Sequence, residues 1–392
     1  MRKKKVFFVS DTNSEITRET KFFGASKKIR IILSLLIDQG YIVYIIKSGP
    51  DMGIRQPICV NEVLISNGKK IKCLTIPRYY YNKLGRLKNI FDARSVLQSA
   101  VNKFGVPNLV WCYNAYAFQM HFASLAKQQY KSKVVLEFED WHFSRSGIFN
   151  PKAILDWYFW RKAIPFIDYC YAVNPWIEEK MKKNGIDSFI LPGILSQEIV
   201  NLKPNVYKKK KKILHIGYFG GLNAEKGGLL LLELVNLCKD QGYNFKFHIT
   251  GIGDLMPKFD FLSKSYNELI KYYGVVDDKT FNNIIGKMDI LLNPHLQNKG
   301  ILPFKLLEGI ASGRIVLSGP LNLSGTSLEW LLQGVRVVNL KAQLWLDEII
   351  KISKKSNLYD EKLKKIRKKT IKLYSPDGFG LALSKLPSII NL

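Results

Sequence analysis

Short apolar runs alternate with helically spaced stripes along most of this chain. Val6-Phe-Phe-Val9 reads as a buried strand, closed by Ser10 and Asp11. After a polar loop containing Gly24, Ile29, Ile32, Leu33, Leu36 and Ile37 recur on one helix face, and Gly40 supplies the stop. Residues 41–46 read as the next strand, so the opening is a β–loop–α–β unit of the Rossmann-like kind. Further strands are expected at residues 109–112, from Val134, at 169–173 and from Phe189, with mostly helical sequence between. The lysines of residues 208–212 read as a solvated linker and place a domain boundary near residues 192–212. The alternation then restarts. Ile213-Leu-His-Ile216 is a strand, 229–238 a helix, and Phe245-Lys-Phe-His-Ile-Thr250 a half-buried strand followed by a turn. The fold class expected is α/β with two Rossmann-like halves.

The stretch 289–318 carries the densest pattern. Ile290-Leu-Leu292 and Ile315-Val-Leu317 read as buried strands, and a short helix lies between them. Pro303 suits its first turn and Gly313 its left-handed exit. Phe304, Leu307 and Ala311 share one face; Lys305, Glu308 and Ser312 share another. A carboxylate and an ammonium thus sit near a helix start, beyond the carboxyl end of a strand, where α/β sheets place ligands. A second strand–turn–helix unit runs from Gly217 to Gly228, with Gly220, Gly221 and Lys226 in the turn. Glycines there let backbone amides approach a phosphate, which the helix N-terminus also favours. Gly251-Ile-Gly253 makes another turn. In the first half, Glu137, Glu139, Asp140 and His142 follow a buried strand, as cleft residues or as rim groups paired with lysine or arginine.

Charge enlarges this picture. The 392 residues carry a formal +28, with 47% hydrophobic and 12% aromatic residues, so the chain is globular and attracts anions. AT-rich codon usage is a competing cause of so many lysines. Residues 78–83 form a basic, aromatic loop, and Trp157, Phe159 and Trp160 interleave with Arg161 and Lys162. A core helix and a helix lying on a membrane both fit the latter pattern. The five cysteines are scattered with no C-x-x-C spacing, as in a reducing cytoplasm. The apolar run after Arg2-Lys-Lys-Lys5 is too short for a signal peptide, and no stretch reaches spanning length. A cytoplasmic chain, peripheral at the inner face of the membrane, is expected. No helix-turn-helix, zinc or aromatic RNA signature supports nucleic acid as partner, and without G-x-G-x-x-G a nicotinamide enzyme is disfavoured.

Pro303-Phe-Lys-Leu-Leu-Glu-Gly-Ile-Ala-Ser-Gly313 resembles the donor-binding segment of GT-B glycosyltransferases, family 4 above all. The resemblance implies two Rossmann-like domains facing a central cleft: an acceptor-side domain over residues 1–195, a donor domain over 196–374, and a segment 375–392 returning to the first. It implies that Glu308 binds the ribose of a nucleotide-sugar, most simply a UDP-sugar. Pro303, Phe304, Lys305 and Leu306 line the donor segment. Gly220, Gly221 and Lys226 would hold the pyrophosphate, with Gly251 and Gly253 close to the nucleotide. Many members carry a second glutamate eight positions before the first; here Gly300 stands there. Asp140, Glu139, His142 and Lys226 are the catalytic candidates, a carboxylate serving as base only in an inverting reaction. No Asp-x-Asp motif occurs, so no metal or other cofactor is expected, and the resemblance to family 4 implies a retaining reaction. The acceptor implied is a glycan or lipid-diphosphate-linked glycan of a surface polysaccharide, with an anionic membrane as partner surface. The alternatives are a sugar-nucleotide epimerase of the same fold and a basic nucleic-acid-binding protein.

Overall fold

The computed structural model describes residues 3–10, 23–48, 59–64, 69–76, 90–141, 143, 151–204, 213–296, 302–354 and 360–392. Two compact units emerge, Met1–Ile194 with Phe379–Leu392, and Leu195–Gly378. The loop at 78–83, His142 and Gly300 lie outside the described residues.

The first unit begins β1 (Lys5–Ser10), α1 (Phe23–Asp38), β2 (Ile42–Ser48), β3 (Cys59–Leu64), β4 (Lys70–Ile76) and α2 (Ala93–Phe104). It continues β5 (Leu109–Tyr113), α3 (Ala117–Tyr130), β6 (Lys133–Phe138), α4 (Pro151–Ala163), β7 (Tyr169–Ala172), α5 (Pro175–Lys182) and β8 (Ser188–Ile190). The strands form one sheet in the order β3-β4-β2-β1-β5-β6-β7-β8. Only β3, at the edge, runs antiparallel to its neighbour. A parallel sheet is covered on both faces, which is why β1 reads as a continuous apolar run and buries Val6, Phe7, Phe8 and Val9 completely. Gly24, expected in a loop, lies in the first turn of α1. There a glycine interrupts few intrahelical bonds and is tolerated. Of the helical stretch expected from Phe143, α4 is the first helix described, and it ends in a 3₁₀ turn at Ile164–Phe166 before β7.

The second unit holds α6 (Gln197–Asn201), β9 (Leu214–Phe219), α7 (Gly228–Asp240), β10 (Phe245–Thr250), α8 (Met256–Ser265), β11 (Ile270–Tyr272) and α9 (Asp278–Lys287). There follow β12 (Ile290–Asn293), α10 (Phe304–Ala311), β13 (Ile315–Ser318), β14 (Arg336–Val337), α11 (Ala342–Lys354), α12 (Glu361–Tyr374) and α13 (Pro376–Ile389). From Phe379 onward α13 counts with the first unit, where Phe379 packs edge-on against Tyr171. The second sheet is parallel throughout, in the order β11-β10-β9-β12-β13-β14. Strand order therefore reverses between β9 and β12, and the crevice at their carboxyl ends is the place such a sheet offers a ligand.

Two guanidiniums, Arg314 buried and Arg367 half-buried, close the opposite, carboxyl ends of the helices. Arg314 Nε donates to Ile285 O (3.2 Å), and Nη1 to Ser312 O (2.7 Å) and Lys203 O (2.8 Å), with Nη2 on Gly286 O. Arg367 of α12 donates to Ala311 O, Val200 O and Leu202 O. Most of these carbonyls lie at or just beyond helix carboxyl ends, where intrahelical donors run out, and a cation also suits the negative end of the helix dipole. Arg314→Ala should lower the unfolding free energy by about 3 kcal/mol, the worth of one or two hydrogen bonds to a charged group. Arg314→Lys should recover only part, because an ammonium lacks the planar fork. Urea unfolding of the full chain is the measurement, and an unmoved midpoint for Arg314→Ala contradicts the assignment.

Candidate functional site

At the β9–β12 crevice, three strand ends meet with little room between backbones. Gly251 follows β10 with φ +123, and a Cβ there would overlap the carbonyl oxygen of Gly220. Gly227, with φ +81, would likewise drive a Cβ into the Pro294 carbonyl just after β12. Only glycine permits both the conformation and the approach. Gly220 N–H donates to Thr250 O (3.2 Å) and Leu222 N–H to Ile252 O (2.8 Å), so the turns after β9 and β10 travel side by side. Inside the turn, Asn223 accepts from Lys226 N–H through Oδ1 (2.9 Å) and from Gly228 N–H through its carbonyl (3.0 Å). Tyr218, 1% exposed, reaches up from β9 and donates from its hydroxyl toward Gly221 O (2.7 Å) and Lys226 O (3.1 Å).

Two ammoniums gather on this frame. Lys305, in the first turn of α10, sits over the Tyr218 ring at 4.3 Å from its centroid, a cation–π contact. Its Nζ lies against Gly220, 3.6 Å from where a Cβ would stand. Lys226 Nζ lies 3.0 Å from His295 Nε2. Among the described residues neither ammonium is in an ion pair. Desolvation, and then the charge of Lys226, pull the Lys305 ammonium down to about 7. Pro303 precedes α10 without a side-chain cap, leaving first-turn N–H groups of that helix open to an anion. Glu308 follows Lys305 by one turn on α10 and is half-buried. Leu306 is fully buried and gives its N–H to Pro303 O (2.9 Å). Ser312, expected on the polar face, is fully buried, its hydroxyl on Gly309 O (2.7 Å). Gly253 faces the turn instead, where a Cβ would meet Leu222 backbone. Gly220, Gly221, Gly251, Lys226 and Lys305 therefore share one place. Sequence reasoning missed Tyr218 and His295, both of which read as ordinary strand and loop residues.

The first unit carries a different cluster at the ends of β5 and β6. Lys28 of α1 is 4% exposed and pairs with Glu137 (3.0 Å) and, at short range, with Glu139. It also donates to Leu191 O (2.8 Å). Trp111 Nε1 donates to Glu137 Oε2 (3.0 Å). Asn114, in a left-handed conformation at φ +68, accepts through Oδ1 from the backbone N–H of both Glu139 (3.0 Å) and Asp140 (2.9 Å). Burial, with the neighbouring charge of Glu137 and against the pull of Lys28, raises the Glu139 carboxyl to about 7. Burial opposes the Lys28 charge, yet the two carboxylates hold its ammonium above the ordinary value. Lys28 is the partner that sequence reading left unnamed. Among the described residues no group of three or more His, Cys, Asp and Glu side chains stands ready to hold a metal ion.

Residues 213–352 match the family model described as glycosyl transferases group 1. No curated protein matches the chain by sequence. Sucrose-phosphate synthase from Thermosynechococcus elongatus superposes with TM-score 0.70 at 12% identity, covering 98% of each chain. The lipopolysaccharide outer core galactosyltransferase WaaB gives 0.63 at 15% identity over 97% of this chain and 98% of its own. HepE of Anabaena, in complex with UDP and glucose, gives 0.61 at 12% identity over 98% and 99%. At such identities the structural likeness carries the fold, which is GT-B: two Rossmann-like units. The family match makes residues 213–352 a group 1 glycosyltransferase domain, and the chain that carries it a glycosyltransferase.

The buried ammonium of Lys305 has a stability signature. Its folded value is about 7 against an ordinary 10.5, so below 7 both folded and unfolded chains hold the proton and the burial penalty is felt in full. As pH rises from about 7 toward 10.5 the folded chain sheds the proton first and the penalty is relieved. Lys305→Met should therefore raise the melting temperature below pH 7, with the gain narrowing toward 10.5. Calorimetric scans across that range check it; a variant less stable than wild type at every pH contradicts it.

Proposed function

We propose that the chain transfers a sugar from a UDP-sugar to a glycan or lipid-diphosphate-linked acceptor of a surface polysaccharide. The observation that carries the donor part is the pair Lys226 and Lys305, two ammoniums on a glycine-lined turn that form no ion pair among the described residues. Uncompensated cations in a partly dry site are unfavourable alone and are matched by a diphosphate. In glycosyl transfer, negative charge grows on the departing diphosphate, and these ammoniums with the N–H groups of α7 and α10 are preorganised to meet it. With positive charge supplied by side chains, we read the reaction as metal-independent and retaining. Glu308, one turn along α10, is assigned to the ribose. HepE holds UDP and glucose, and WaaB is named for an outer core sugar transfer; both support this choice of donor and acceptor class. Glu139 and Asp140 are assigned to the acceptor side, where a carboxylate would serve as base only if the reaction inverts.

Calorimetry with UDP tests the donor reading. Lys226→Met and Glu308→Ala should each weaken UDP roughly tenfold to a hundredfold, as expected for one hydrogen bond to a charged group. Wild-type affinity in both variants would refute the assignment. Turnover should also survive EDTA; loss restored by manganese or magnesium would remove the metal-independent reading.

The membrane part rests on α4. Ala153, Asp156, Trp160 and Ala163 face inward, while Ile154 (52% exposed), Trp157 (51%) and Tyr158 (44%) face outward. Arg161 lies over the Trp157 ring and Lys162 over Tyr158. No helix among the described residues is long and apolar enough to cross a membrane. An exposed aromatic and basic helix face suits the headgroup layer of an anionic bilayer, each basic side chain contributing about 1 kcal/mol. These features support our reading that the chain docks at the inner face of the membrane. It should sediment with phosphatidylglycerol vesicles in low salt, and Trp157→Ala with Lys162→Glu should release it. Equal recovery with neutral vesicles would instead leave codon usage as the account of the charge.

A further inference from the structure

The segment after β12 runs antiparallel to the phosphate-side turn, residue against residue. The Pro294 carbonyl abuts Gly227, where any Cβ would overlap it. Leu296 N–H donates to Glu225 O (3.1 Å). Between these two backbone contacts His295 faces Lys226, Nε2 to Nζ at 3.0 Å. His295 is 7% exposed, and its Nδ1 lies 2.8 Å from the Leu296 carbonyl. A carbonyl only accepts, so Nδ1 must carry the ring proton. In a neutral ring Nε2 is then an acceptor, and the donor beside it among the described residues is the Lys226 ammonium.

We propose that His295 is a positioning residue: as the Nδ1–H tautomer, it accepts a hydrogen bond from Lys226 through Nε2 and fixes that ammonium over the glycine turn. The inference rests on the reading that Lys226 meets the donor diphosphate, and it deepens that reading. The need for such a residue is electrostatic. Lys226 lowers the tolerance of Lys305 for charge, and a long lysine side chain beside a like charge swings outward into water unless something holds it. A carboxylate would hold it but would cancel the positive charge. A neutral imidazole holds it and leaves the charge intact. The surroundings keep the ring neutral: burial first, then Lys226 and Lys305, push His295 below its ordinary value, against the Leu296 bond and the charge of Glu225. Those groups, Glu225 and Lys226 from the turn, Lys305 from α10 and Leu296 O from its own segment, are the charged and polar neighbours that bear on the ring.

Nitrogen NMR of the full chain labelled with ¹⁵N-histidine tests the tautomer. Of the five histidines, the one lost in His295→Gln is assigned to it. Its Nδ1 should show a protonated signal and its Nε2 an unprotonated one that shifts in Lys226→Met. A protonated Nε2 overturns the proposal. Calorimetry with UDP tests the role. His295→Phe should weaken UDP roughly tenfold, one hydrogen bond's worth at a charged group. His295→Gln, whose amide oxygen can replace Nε2 as acceptor, should bind within a few fold of wild type. In a Lys226→Met background, His295→Phe should bring no further loss, because the group it positions is gone. A fully additive loss, or equal loss in the Phe and Gln variants, would mean that His295 only supports the fold, and the proposal fails. If the wild-type chain binds no UDP at all, the donor reading itself fails and takes this role with it; additivity with intact wild-type binding removes the positioning role alone.

Discussion

The second unit depends on how closely bare backbone can approach bare backbone at the ends of β9, β10 and β12. Gly251 meets the Gly220 carbonyl and Gly227 meets the Pro294 carbonyl, each at a separation that excludes a methyl group. Because these contacts set the height of the turn, the Tyr218 hydroxyl can bridge its two sides from below. The same contacts bring the 294–296 segment against Glu225, Lys226 and Gly227, and leave Gly220 low enough for the Lys305 ammonium to lie across it. A substituent at either glycine would separate the strands' ends and dissolve the cluster without touching a charged residue.

The two units handle buried charge in opposite ways. Lys28 is surrounded by Glu137 and Glu139, backed by Trp111 and by a backbone carbonyl. That group is a closed polar network, and its members satisfy one another. Lys226 and Lys305 have an imidazole and an aromatic face instead. Both partners steady a cation without neutralising it. Like charges gathered on one turn raise the free energy of the site, as the lowering of Lys305 by the Lys226 charge reflects. An arriving anion relieves it. The closed network is what a scaffold requires, and the open one is what a ligand site requires; the distinction lies in partners, since both clusters end parallel strands in the same kind of unit.

Much of the frame was legible in the sequence because it is written in local patterns. The apolar runs at β1, β5, β7, β9, β12 and β13 fell where the strands are, and the glycine turns and α10 marked the place of Gly220, Lys226, Lys305 and Glu308. What the sequence withheld is non-local. Lys28 and Glu139 are 111 residues apart, and Lys226 and His295 are 69 apart, so no spacing rule links them. Asn114 looked like any polar residue after a strand; its role comes from a left-handed backbone that aims Oδ1 at two amides of β6's exit. Gly24 and Ser312 misled for one reason. A glycine or serine marks loops and surfaces on average, but each is also small enough to begin a helix or end one inside a core.

The same partner logic bears on the formal charge of +28, which composition alone could assign equally to codon usage and to function. Lysines that only reflect codons have no reason to lose solvent or to select aromatic neighbours. Many here behave so: Lys183, Lys264 and Lys364 pair with acids on their own helix turns at the surface, where such pairs contribute little. Lys305 does not, since it is desolvated over Tyr218, which pulls its ammonium down to about 7. Nor do Arg161 and Lys162, which lie over exposed aromatic rings on one face of α4. The basic character is thus two populations, lysines paired with acids at the surface and a few cations set over aromatic rings, Lys305 among them desolvated.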